Sequence, residues 1–113
     1  IEIVYGLRNF IGNANKFSQG TIYINLKSDS EITEVIIEDD GSGYPKDVLP
    51  KIGEPYLKTN ENYDKSKVGL GLGLFIGKTL LEKNFASINC RNSKTRSGAE
   101  VVIKWYNKDL FNI

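Results

Sequence analysis

The stretch VGLGLGLFIGKT, Val68 to Thr79, alternates glycine with leucine and then runs into an apolar segment of helical character. Glycine at 69, 71 and 73 is poor material for the interior of a helix or strand, costing about 0.5–1 kcal/mol each against alanine. Two familiar phosphate loops do not fit the spacing. A Walker A loop needs a glycine where Leu72 stands, ahead of Gly77, Lys78 and Thr79. A dinucleotide fingerprint needs one at Leu74 or Ile76. What remains is a glycine-rich lead-in to a helix N-terminus, where bare amides and the positive end of the helix dipole meet an anion.

The rest of the chain bounds what that anion site serves. At 113 residues it is one domain with room for a core. Its 15 basic and 14 acidic residues leave a net charge of +1, which gives no footprint for nucleic acid and none for a membrane surface. No apolar run is long enough to cross a bilayer. There is no histidine, which removes histidine metal sites, serine–histidine triads and a phosphohistidine carried by this chain. The single cysteine, Cys90, has no partner for an internal disulfide and reads as a core-facing thiol. Methionine is absent and residue 1 already sits in helical pattern, so a domain of a longer protein is expected.

Periodicity predicts the elements. Ile3, Val4, Leu7, Phe10, Ile11, Ala14 and Phe17 form one apolar face of a helix over residues 1–18. GTIYINLK alternates, with Ile22, Ile24 and Leu26 inward, and ITEVIIED pairs with it across the SDSE turn. GSGYP breaks the chain before a short helix near Asp47 to Ile52, and GEPYLKTNENYDKSK, Gly53 to Lys67, has no periodicity. A polar stretch of that length reads as a lid over an anion or as disorder. A helix from Leu70 to Asn84 and two strands, SINCR and AEVVIKWY, complete the order. The expected class is α+β: a two-layer sandwich, a mixed sheet covered on one face by about three helices.

Two further features stand out. Asn9, Asn13 and Lys16 share an arc of roughly 60° on the first helix, and the spacing points them away from the apolar face. Asparagine is a poor helix former, yet a carboxamide oxygen suits Mg²⁺ and a lysine suits a phosphate. Asp39 falls on the inward side of its strand, followed by Gly41 and Gly43. A buried carboxylate needs donors; a ligand amine and a self-capping turn both satisfy that.

In this order and spacing the motifs resemble the ATP-binding domain of bacterial sensor histidine kinases, the GHKL or Bergerat fold shared with gyrase, Hsp90 and MutL. LRNFIGNANKFS is similar to the kinase N box, EDDGSGYP to the G1 box, GEPYLKT to the F box and VGLGLGLFIGKTLLEK to the G2 box, with SGAEVVI at the last glycine box. Redox-responsive kinases of the RegB/PrrB type are the most similar. The resemblance implies ATP and Mg²⁺ as cofactors, with Asn13 on the metal, Asn9 beside it, and Lys16 and Lys58 near the terminal phosphates. It implies Phe17 against the adenine, Asp39 accepting from its exocyclic amine, Gly41 and Gly43 admitting the base, Thr59 opening the lid, and Gly69, Leu70, Gly71 and Leu72 presenting amides to the phosphates. The implied reaction delivers the γ-phosphate to a histidine on a separate dimerisation domain, in a homodimeric parent anchored in the bacterial inner membrane, with this domain cytoplasmic and a response regulator downstream. Neither nucleic acid nor direct membrane contact is implied.

Three positions depart from the pattern: Gly53 for the F-box phenylalanine, Ala99 for a threonine, and Asp40 for an asparagine, expected to face solvent. The family's first strand is expected upstream of residue 1. Two rivals stay open: a gyrase- or MutL-type ATPase fragment, and an interaction module that kept the fold without nucleotide binding. Asn9 stands where the hydrolases carry a glutamate base, and a carboxamide takes no proton at neutral pH, so phosphoryl transfer is expected over hydrolysis.

Overall fold

The computed structural model describes residues 1–47, 49–51 and 70–111. Helix α1 runs Glu2–Phe17, followed by strands β1, Ile22–Ser28, and β2, Ile32–Asp39. A 3₁₀ turn at Leu49–Lys51 precedes helix α2, Leu70–Lys83; strands β3, Ser87–Asn92, and β4, Ala99–Tyr106, and a short helix α3, Asn107–Leu110, follow. The four strands form one sheet in the order β1-β2-β4-β3.

The two-layer architecture is the expected one, but the pairing differs. All three ladders among the described strands are antiparallel, where a mixed sheet was expected. Each strand alternates faces, so register lines residues up across the sheet. One row reads Ile24, Ile37, Val101, Cys90 and the next Leu26, Val35, Ile103, Ile88. The helices cover the middle of these rows. Phe10, Ile37, Leu74, Leu81 and Ile103 are fully buried between the layers. β1 lies at the edge, and there the expectation of an inward face fails: Ile24 is 53% exposed and Leu26 71%. α1 packs over β2 and α2 over β3, and among the described residues of β1 only Ile22 packs against the core.

α1 and α2 run antiparallel at close range because both carry glycine where they cross. A side chain at Gly77 would meet the Phe10 ring at 3.0 Å, and one at Gly6 would meet Leu81 at 2.6 Å. At the far end, Glu2 is held by Lys83 at 2.9 Å and by Asn84 Nδ2 at 3.2 Å. α2 stops in a Schellman arrangement: the Ala86 N–H donates to the Leu81 carbonyl, and Phe85 N–H to Glu82, with Phe85 at a left-handed φ of 73°. The Asn84 carbonyl accepts from the buried Trp105 indole at 3.0 Å, which fastens α2 to β4.

The SDSE turn is capped by Asp29, whose Oδ1 accepts from Glu31 and Ile32 N–H, both at 2.8 Å. α3 was not expected; four residues carry too little periodicity to announce a helix. It is anchored by Asn107, which donates to the Asp29 carbonyl and accepts from Thr33.

Candidate functional site

One end of the molecule brings together the last turn of α1, the end of β2 and the start of β4. Asp39 sits at their centre, 2% exposed. Its Oδ1 accepts from Gly41 N–H at 2.9 Å and from Ala99 N–H at 3.3 Å. A buried carboxylate requires such donors, and here the backbone supplies them. Gly98 allows the approach: a Cβ there would lie 2.0 Å from the Asp39 carbonyl oxygen and 2.2 Å from its Oδ1. No hydrogen bond from a described residue reaches Oδ2. The self-capping turn expected of Asp39 is therefore present.

Asp39 lines a pocket with Asn13, Phe17, Ser42, Gly43, Tyr44, Pro45 and Ala99. The cavity measures about 10 Å³, the room of a single water. Any ligand larger than a water must part its walls to enter. On one side stands Phe17, half-buried at the end of α1; its carbonyl oxygen would be 2.2 Å from a Cβ at Gly41, so only glycine fits beneath it. On the other stands the loop Ser42–Pro45, with Gly43 at φ 84°, a backbone conformation that side chains resist.

The stripe on α1, which its spacing places away from the apolar face, is only partly open to solvent. Asn9 and Asn13 are half-buried and Lys16 alone is exposed. α2 lies along that flank, and its glycines make room: Asn9 Oδ1 is 3.8 Å from where a Gly73 side chain would begin. Asn9 Nδ2 donates to the Tyr5 carbonyl at 2.8 Å. Asn13 reaches the pocket wall. Lys16, in the last turn of α1, forms no ion pair with any described residue.

α2 begins at Leu70, so Leu70, Gly71 and Leu72 fall in its first turn, where amide N–H groups have no helical carbonyl to meet. Lys58, Thr59 and Gly69 lie outside the described residues, as does the whole expected lid.

Several residues of the site were not singled out from the sequence. Asp40 was expected to face solvent; it is half-buried instead. Its Oδ1 takes the N–H groups of Gln19, Gly20 and Thr21 at 2.8, 3.1 and 3.2 Å. These backbone donors, Thr21 foremost, hold its carboxyl below the usual 3.8. Asp40 thus ties the turn after α1 to the end of β2. Asn92, at the end of β3, pairs with the backbone of Tyr44. Burial pushes the Cys90 thiol up to about 11, against the opposing influence of Tyr44 and the charge of Lys78. Cys90 is the core-packed thiol expected of it. The only signal for Asp40 was the doubled aspartate; Asn92 had none.

The ladder order, the strand-end carboxylate and the glycine-rich helix start define a class: the GHKL two-layer sandwich. The chain belongs to the histidine kinase-, DNA gyrase B-, and HSP90-like ATPase family, which it matches over residues 1–108. It is 34% identical over 119 residues to the sensor histidine kinase RegB of Cereibacter sphaeroides, covering 92% of this chain and 26% of that protein. It is 29% identical to the sensor protein RstB of Escherichia coli, covering 88% and 23%. The chain thus spans about a quarter of the length of these curated relatives. Among solved structures it resembles full-length ShkA in complex with AMPPNP, with a TM-score of 0.73 at 24% identity over 93% of this chain and 21% of that one. The mycobacterial sensor histidine kinase MprB gives 0.71 at 23%, over 90% and 68%. Among the described residues no helix is long and apolar enough to cross a membrane.

Proposed function

We propose that this chain is the ATP-binding catalytic unit of a sensor histidine kinase in a two-component system. The observation that carries the reading is Asp39: a carboxylate buried at a strand end, one oxygen satisfied by backbone amides, on the wall of a pocket flanked by an aromatic ring. That arrangement suits adenine over guanine, because adenine offers an amino donor where guanine presents a carbonyl oxygen that a carboxylate repels. Phe17 would stack on the ring. Asn13, on the same wall, would turn its carboxamide oxygen toward a cation at the phosphates, and the first-turn amides of α2 would meet the phosphate oxygens.

Among the described residues no cluster of three or more acidic or cysteine side chains could hold a metal. One neutral oxygen from Asn13 fits Mg²⁺ only when the nucleotide and water complete its shell. Mg²⁺ held there supplies charge neutralisation at the phosphates. This chain's own part is positioning. Lys16, unpaired with described residues and exposed beside Phe17, supplies a second positive charge, and Lys58 and Thr59 are assigned to the lid. Asn9 takes no proton, so water is not activated from α1 and transfer is favoured over hydrolysis. The acceptor is a histidine on a separate dimerisation domain of a homodimeric, inner-membrane-anchored parent, with this unit in the cytoplasm and a response regulator receiving the phosphoryl group.

Incubation with Mg²⁺ and γ-labelled ATP tests the assignment. The chain, having no histidine, is expected to bind nucleotide and retain no acid-labile label. Retained label contradicts it, and steady phosphate release abolished by Asn9→Ala supports a gyrase-type ATPase instead. Absence of binding at millimolar ligand leaves an interaction module.

A further inference from the structure

We infer that Asn92 is a positioning residue for base recognition, resting on the nucleotide reading above. It ends β3 and stands opposite Ala99 in the β3–β4 register. Ala99 is the residue whose N–H holds Asp39 Oδ1. From this position the Asn92 carboxamide reaches across to the pocket's other wall. Its Oδ1 accepts from Tyr44 N–H at 2.7 Å, and its Nδ2 donates to the Tyr44 carbonyl at 3.1 Å. Two bonds to one residue's backbone fix both the position and the orientation of that loop, and they admit only one setting of the amide, since its reversal would oppose like groups.

Gly43 is built around the same contact. A Cβ at Gly43 would lie 2.8 Å from Asn92 Oδ1 and 3.1 Å from its Cγ. Glycine at 43 therefore does more than accept its left-handed φ of 84°; it clears the path by which Asn92 grips Tyr44. Tyr44 itself is buried. The wall formed by Ser42–Pro45 is in this way fixed to the strand pair that also sets Asp39.

The consequence is a pocket whose Tyr44 wall is fixed. The cavity of about 10 Å³ must widen for a base, and the distance from the fixed Tyr44 wall to Asp39 selects the base. Releasing Tyr44 lets that wall yield, which costs affinity for adenine and blurs the choice between bases. The phosphate end, served by Asn13 and α2, is untouched.

Binding of MgADP, MgGDP and magnesium tripolyphosphate by calorimetry, beside hydrogen exchange at the Tyr44 amide, tests this on the chain and on Asn92→Ala. Loss of the paired bonds is expected to weaken ADP about ten-fold and to narrow the ADP-over-GDP preference. Tripolyphosphate is expected to bind within two-fold of the parent chain, and the Tyr44 amide to exchange about ten-fold faster. Asn92→Asp, which keeps the acceptor and loses the donor, is expected to restore part of the Tyr44 protection. Unchanged ADP affinity, equal loss for all three ligands, or unchanged Tyr44 exchange overturns the assignment. If the unaltered chain binds no adenine nucleotide, the nucleotide reading falls and takes this one with it; if it binds ADP and Asn92→Ala matches it, this one falls alone.

Discussion

Alanine at Gly6 is expected to drive α1 and α2 apart and destabilise the fold, and alanine at Gly12, in the same helix, to stabilise it. A Cβ at Gly6 lies 2.6 Å from Leu81 Cγ and 2.9 Å from Leu81 Cδ2, against about 3.5–4.0 Å for an unstrained carbon pair. The shortfall is about 1 Å. Leu81 is 0% exposed and has no open space to swing into. Overpacking of this kind costs about 1–3 kcal/mol, and a full ångström against a buried leucine belongs at the upper end. Replacing a mid-helix glycine returns about 1 kcal/mol of helix propensity, leaving Gly6→Ala destabilised by about 2 kcal/mol. At Gly12 nothing lies within 4 Å, so only the propensity gain remains, about 0.5–1 kcal/mol. The two variants should differ by about 3 kcal/mol, a large share of the stability of a small domain. Urea unfolding followed by the fluorescence of the buried Trp105 measures both. Equal stability of the two variants would refute the reasoning, because it would mean the close crossing of the helices contributes nothing.

Three other outcomes follow from particular residues. Asp39→Asn is expected to weaken ADP binding by about 1–3 kcal/mol, read by calorimetry; unchanged affinity places the base elsewhere. Phe85→Gly is expected to stabilise the fold by about 0.5–1 kcal/mol, since Phe85 holds a φ of 73° while 55% exposed; thermal unfolding decides, and a lowered midpoint means the ring's packing outweighs the strain. Asp40, through Thr21 first, and Asp29, through Ile32 first, have carboxyls held below the ordinary 3.8. A folded value below the unfolded one means stability that is complete above the unfolded 3.8 and lost as pH falls through the lowered value. Asp40→Asn should therefore unfold more easily at neutral pH and lose less stability on acidification, as urea midpoints across that range would show.

Much of this was readable in the chain. The face of Phe10 and Ala14, the alternation of Val101, Ile103 and Trp105, and the inward turn of Asp39 all come from periods of 3.6 and 2, which survive into the fold unchanged. Ile24 and Leu26 show the limit of that reasoning. Alternation says which face a residue takes, and nothing about whether a helix lies over it. The half-burial of the asparagine stripe was hidden for a related reason: α2 packs on that flank through Gly73 and Gly77, and glycine leaves no apolar mark in a periodic pattern. Asp40 and Asn92 were beyond reach because their partners are backbone groups, 19 to 21 residues away for Asp40 and 48 for Asn92. Such groups carry no signature of their own in the letters.

The fastening of Glu2 to Lys83 and Asn84 has a geometric outcome for the opposite end. Two antiparallel rods joined at one tip change their angle mainly by spreading at the other, and the opposite tips here carry Asn13, Phe17 and Leu70. Over the 14 residues of α2, a swing of about 5° at the joined tip moves the opposite one by about 2 Å. The pair is thus pinned at the end away from the Asp39 pocket, so any change in its angle is felt most beside that pocket.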